Sequence, residues 1–85
     1  MNEPSTSGEE QVIDSVEDLG RTVRHTRGQW DARQAETAGL AGVGVRFLSE
    51  LENGKPSVRL GNVLRVLDML GLELVVRPKK RRGHG

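Results

Sequence analysis

The sequence predicts a mainly α fold, four short helices followed by one C-terminal strand, within a single small domain. Three observations lead there. Apolar residues recur at helical spacing in four separate windows. Glycines, and Pro56 after the third window, interrupt the pattern between them. The segment Leu72-Glu73-Leu74-Val75-Val76 is β-branched and alternating, and it ends before Pro78.

Each element has its own signal. Ser15 is a suitable N-cap, followed by acidic Glu17 and Asp18 and by apolar Val16, Leu19 and Val23. That predicts a first helix from there to about Gly28, studded with Arg21, Arg24 and Arg27. A second helix is expected over residues 31–41, with Asp31 or Arg33 near its start and Ala35, Ala38 and Leu40 or Ala41 facing inward. Gly42-Val43-Gly44 breaks it, since glycine permits backbone angles that other residues resist. The third helix, about residues 45–53, carries Phe47, Leu48 and Leu51, and Asn53-Gly54 ends it ahead of Pro56. Ser57 is the expected cap of a fourth helix, about residues 59–70, whose inner stripe reads Leu60, Val63, Leu64, Leu67 and Leu70.

Eighty-five residues hold one domain whose core is small. Residues 1–15 are polar and are expected to be a disordered acidic tail, residues 16–77 the domain, and residues 78–85 a disordered basic tail. The absence of cysteine excludes disulfides and thiolate chemistry. No apolar stretch resembles a signal peptide or a membrane span, so a cytoplasmic, nucleoid-associated protein is expected. The net charge of +1 hides an asymmetry. Residues 1–18 hold six carboxylates and no Lys or Arg, leaving thirteen basic against six acidic side chains in the rest, an excess of +7. A cationic body suits an anionic partner such as nucleic acid.

Two short helices joined by a tight glycine-bearing turn form a helix-turn-helix arrangement. Such a unit places one helix in the DNA major groove while its neighbour braces it against the core. The expected bracing face is Ala35, Ala38, Val43, Leu48 and Leu51.

Arg33-Gln34-Ala35-Glu36, Leu40-Ala41-Gly42-Val43 and Phe47-Leu48-Ser49-Glu50-Leu51-Glu52-Asn53-Gly54-Lys55-Pro56 carry a more specific resemblance. Together they resemble the phage-repressor (Xre/Cro) family, a lambda-repressor-like fold, and within it the HipB-type antitoxin regulators. The stretch from Val63-Leu64-Arg65-Val66 to Gly71-Leu72 resembles the last helix and strand of those regulators. The resemblance implies a sequence-specific repressor that is the antitoxin of a HipBA-like system, binding a palindromic operator in double-stranded DNA as a homodimer and neutralising a HipA-like kinase toxin. It implies that Gln34 meets a phosphate, that Val45, Arg46, Ser49 and Glu50 face the major groove, and that Lys55 holds the backbone beyond. Gly44 and Arg59 complete the DNA-facing set. Leu72, Leu74, Val75 and Val76 would pair as a strand with the same residues of a second subunit. Glu52 is read as structural, pairing with an Arg of the first helix. The chain departs from the family at Ala32-Arg33, Thr37, Gly39 and Gly44, where Leu-Thr, Leu and a capping hydroxyl are usual for the first two and the last. Trp30 is expected to fill the space left by the missing leucines.

Competing readings are plainer. The row Arg21, Arg24, Arg27 suits a solvated helix face, and residues 79–82 suit a tail adding nonspecific DNA affinity. His25 and His84 lack a second ligand at metal spacing, and no cofactor is expected. No nucleophile–base constellation or phosphate loop supports an enzyme. The alternatives are a phage-type or housekeeping regulator without a toxin, or a protein-binding inhibitor for which DNA is secondary.

Overall fold

The computed structural model describes residues 10–79. Four helices follow in order: α1 (Val16–Gln29), α2 (Gln34–Ala41), α3 (Val45–Glu52) and α4 (Leu60–Met69). The expectations for residues 1–9 and 80–85 lie outside the described residues.

Helix α1 starts as its sequence predicts. Ser15 is extended and its Oγ accepts the Asp18 N–H at 3.1 Å, satisfying one free donor of the first turn. Glu17 and Asp18 at this end and Arg27 in the last turn complement the helix dipole. Helix α2 begins at Gln34, three residues later than expected. Asp31 takes the positive φ of 55° that turns the chain out of α1, so it cannot open a helix. Arg33 is the N-cap, and the Glu36 side chain reaches back to accept its N–H at 3.0 Å.

The turn between α2 and α3 rests on Gly42, at φ 75°, where a side chain would be strained. Past it the Val43 N–H returns to the Ala38 carbonyl at 3.0 Å. Gly44 has an ordinary φ of −76° and is the N-cap of α3, so only one of the two glycines is needed for its backbone angle. After α3, Gly54 at φ 79° and the Lys55 N–H bond to the Glu50 carbonyl (3.0 Å) close the helix. Arg59, not Ser57, caps α4, because the turn through Pro56 and Ser57 continues two residues further than the spacing suggested.

The core draws Val23 from α1, Ala38 from α2, Leu48 and Leu51 from α3, and Val63, Val66 and Leu67 from α4, with Leu70 behind. Each of these valines and leucines contributes about 1.5–3 kcal/mol when fully withdrawn from water. Gly20 sets the spacing of α1 and α3. A Cβ there would stand 2.3 Å from the Leu51 carbonyl oxygen and 2.8 Å from that of Glu52.

Three packing expectations are corrected. Ala35 is exposed; Ala38 faces inward as expected, and its neighbour Thr37 takes the other inner position. Leu60 and Leu64 are exposed at 59% and 43%, since Val66 takes the inner position beside Val63 and Leu67 and rotates the buried stripe away from them. Trp30 is 65% exposed and fills no core space; it stands at the C-cap of α1, beyond that helix's buried residues Gly20, Val23 and Thr26. Thr37 occupies the interior, fully buried, with its hydroxyl unpartnered.

Residues 72–79 form no strand. A strand exists through its ladder bonds, and this single chain supplies no second strand among the described residues. Leu72 packs against the core while Leu74, Val75 and Val76 are exposed.

Candidate nucleic-acid interface

Helix α3 is buried on one side through Leu48, Leu51 and Glu52 and open on the other. Val45, Arg46, Ser49 and Glu50 fall within one outward arc of it, as their i, i+1, i+4, i+5 spacing requires. Arg46 projects furthest, its side chain 92% exposed. Ser49 and Glu50 are half-buried. The Glu50 carboxylate lies 3.6 Å from Arg46 Nε and 3.3 Å from Lys55 Nζ. These three residues therefore form one exposed cluster with a net positive charge. Its ion pairs are weak in water and exchange readily for other anions.

Gly44, ahead of α3, has open space where a Cβ would be, so the backbone is accessible there. Arg59 is exposed at the start of α4, on the loop that follows Lys55. Gln34 sits differently from the rest. Its amide Nε2 donates to Glu52 Oε1 at 2.9 Å, so the side chain that opens α2 is held against the end of α3.

Glu52 is the hub of this second group. Arg27 grips it with two donors, Nε to Oε2 at 2.6 Å and Nη2 to Oε1 at 2.8 Å. Its remaining Nη1 donates to the Ala32 carbonyl at 2.8 Å. The expected structural role of Glu52, paired with an Arg of the first helix, is what the structure has. Burial alone would raise the Glu52 pKa, but the bonds from Arg27 and Gln34, with the charges of Arg27 and Arg24, carry it below the usual carboxylate value. The hydrogen bond to Glu52 outweighs burial and raises the Arg27 pKa.

The arginine row of α1 divides accordingly. Steps of three residues fall 60° short of a full turn, so successive side chains rotate around the helix. Arg21 pairs with Asp18 on the surface, Arg24 is exposed, and Arg27 turns inward. Sequence reasoning gave Arg27 no separate part. Its position in the last turn of α1, ahead of the loop to α2, is the signal that distinguishes it. Arg65 was also passed over; its Nη1 reaches the Gly42 carbonyl at 3.3 Å and buttresses the turn from α4.

Among the described residues no group of three metal-ligating side chains occurs, and no helix is long and apolar enough to cross a membrane.

The helix-turn-helix domain model matches residues 18–79. The chain is 45% identical over 71 residues to the HTH-type transcriptional regulator y4mF of Sinorhizobium fredii, spanning 82% of this chain and 93% of that protein. Its fold is similar to that of a HipB–O4 20mer complex, with a TM-score of 0.76 and 25% identity over 84% of this chain and all of the other. A HipA–HipB–O2–O3 complex aligns equally well, again at TM-score 0.76 and 25% identity, with the same coverage. A half-open helix braced through Gly20, Arg27 and Glu52, and a sequence match spanning all four helices, lead to one conclusion: the chain belongs to the helix-turn-helix family of DNA-binding transcriptional regulators.

Proposed function

We propose that this regulator is a dimeric repressor and antitoxin of the HipB type, which reads a palindromic operator and binds a HipA-like kinase. The observation that carries the DNA reading is the exposed arc of α3, with Arg46 projecting into solvent from a helix fixed on its other side. Arg46 suits a guanine O6/N7 edge and Val45 a thymine methyl, while Glu50 accepts from a cytosine amino group on leaving its ion pairs. Ser49 completes the base-facing arc. Lys55, Arg59, Gln34 and the open backbone at Gly44 suit phosphate contacts. The domain that does this is residues 16–77, working in the cytoplasm on the nucleoid.

Exposed apolar residues support the dimer. Leu60, Leu64, Leu74, Val75 and Val76 are all open in the single chain. Antiparallel pairing of residues 72–76 with the same segment of a second copy supplies the missing ladder partners. Similarity to complexes of HipB with a 20mer and with HipA supports the operator and the kinase as partners.

Selection of bound duplexes from a random DNA pool tests the operator. The expected result is a palindrome with half-sites about 34 Å, one DNA turn, apart. A single unpaired half-site would overturn the dimeric reader. Growth arrest by a HipA-like kinase should be relieved by co-expression. Arrest that persists without complex formation would leave a regulator that has no toxin partner.

A further inference from the structure

The end of α1, the outer side of α2 and the end of α4 enclose an open groove of about 690 Å³. Trp30, Leu40, Met69 and Leu70 supply its apolar walls, and both charged side chains in its lining, Asp31 and Glu36, are acidic. Leu40 is 73% exposed and Trp30, lining the same groove, 65%. Large apolar side chains open on one groove, with acidic side chains among them, offer a surface to a partner of matching chemistry. The occupant that fits is itself part apolar and part cationic.

The C-terminal segment of this chain has that chemistry. Exposed Leu74, Val75 and Val76 lead into Arg77, Lys79, Lys80, Arg81 and Arg82. Its own groove is badly placed for it. Arg77 Nη1 lies 3.8 Å from Glu10, upstream of α1, whereas Trp30 follows the other end of that 14-residue helix. At 1.5 Å per residue the two ends are ~21 Å apart. A second copy is well placed. In antiparallel pairing centred on Leu74, the partner's Val76 lies opposite Leu72, and the partner's Arg77 lies opposite Gly71. The following residues then run past Leu70 and Met69, which form the edge of the groove.

We propose that the basic C-terminal segment of one copy, residues 77–82, docks in the Trp30–Leu40 groove of the other. Its cations stack on the Trp30 ring and pair with Asp31 and Glu36. The inference rests on the dimer proposed above, and deepens it. A docked segment is also withheld from DNA, so the groove competes with phosphate for the same charges.

Trp30 is the only tryptophan in a chain without tyrosine, so its emission reports on the groove alone. The test measures acrylamide quenching of the full chain, of a chain ending at Pro78, and of the Asp31→Asn, Glu36→Gln double variant. Sedimentation of the same samples gives their oligomeric state. The expected result is a dimer in all three, with Trp30 quenched severalfold less in the full chain than in the other two. Molar salt should bring the full chain to the truncated level. Equal quenching in three dimers would overturn the docking while leaving the dimer intact. Shielding that survives both changes would assign the groove to another occupant and overturn it too. A monomeric full chain would remove the dimer and the exchange together.

Discussion

Arg27 and Glu52, twenty-five residues apart, meet through two parallel hydrogen bonds that join the last turn of α1 to the end of α3. Gln34 shares one Glu52 oxygen, and the third Arg27 donor holds the Ala32 carbonyl. One carboxylate thus registers both helices of the helix-turn-helix unit against α1. Removing it strands a guanidinium that is largely shielded from water. Glu52→Ala should cost about 3 kcal/mol in urea unfolding, the scale of a broken buried pair. A cost near zero would show that water replaces Glu52 freely.

The same pair sets an acid sensitivity. Glu52 titrates below its ordinary value when folded, so the unfolded chain binds its proton more readily. Its contribution is complete above the unfolded pKa and is lost as pH falls through the folded one. The urea midpoint of the wild type should therefore drop on acidification more than that of Glu52→Gln. Parallel pH profiles would mean that the pair contributes nothing there.

Gly20 has no room for a methyl group. Gly20→Ala drives a Cβ into the carbonyls of Leu51 and Glu52, forcing α1 off α3 at a cost of about 3 kcal/mol. Gly39 has open space around it within α2, so Gly39→Ala should instead stabilise by roughly 0.5–1 kcal/mol. Thermal unfolding of the two variants checks the contrast in sign.

Thr37 carries a hydroxyl that is fully buried and unpartnered. Valine has nearly the same shape without the polar atom. Thr37→Val should stabilise the fold by about 1 kcal/mol, the lower end of what an unsatisfied buried group costs. A destabilised variant would reveal a partner for that hydroxyl in solution.

Arg46 and Lys55 flank one carboxylate yet are proposed to do different work on DNA. Arg46→Ala should lose roughly 1–3 kcal/mol on the operator and relax preference at one base position. Lys55→Ala should weaken all sequences alike and make the salt dependence shallower by about one charge. Binding curves over a set of operators and salt concentrations separate the two, and identical behaviour would remove the distinction.

Leu74 is exposed in the single chain, so replacing it leaves the core untouched. Leu74→Pro removes a donor and bars a central ladder position. The variant should sediment as a folded monomer with reduced operator affinity. A dimer persisting at micromolar concentration would mean that the Leu60–Leu64 face of α4 holds the subunits together.

The sequence by itself determined the four helices and their order, while the strand expected over residues 72–76 needs a ladder partner that local pattern cannot supply. Ser15, Gly42 and Gly54 act locally, through a side-chain cap and through backbone angles open to glycine, so their consequences are legible where they stand. The outward arc of α3 is also local, since Leu48 and Leu51 define its opposite side. Only the tertiary structure decided which residues of an amphipathic stripe face inward. Leu60 and Leu64 satisfy the spacing as well as Val66 does, and the packing of α4 against α2 selects Val66. Trp30 is a large apolar residue of the kind cores hold, but its place at the C-cap of α1, beyond the helix's last buried residue, leaves it in solvent. Glu52 was expected to pair with an arginine of the first helix, but that Gln34 shares the carboxylate carried no mark in the sequence, because bonds spanning eighteen or twenty-five residues depend on how helices cross and not on any local pattern.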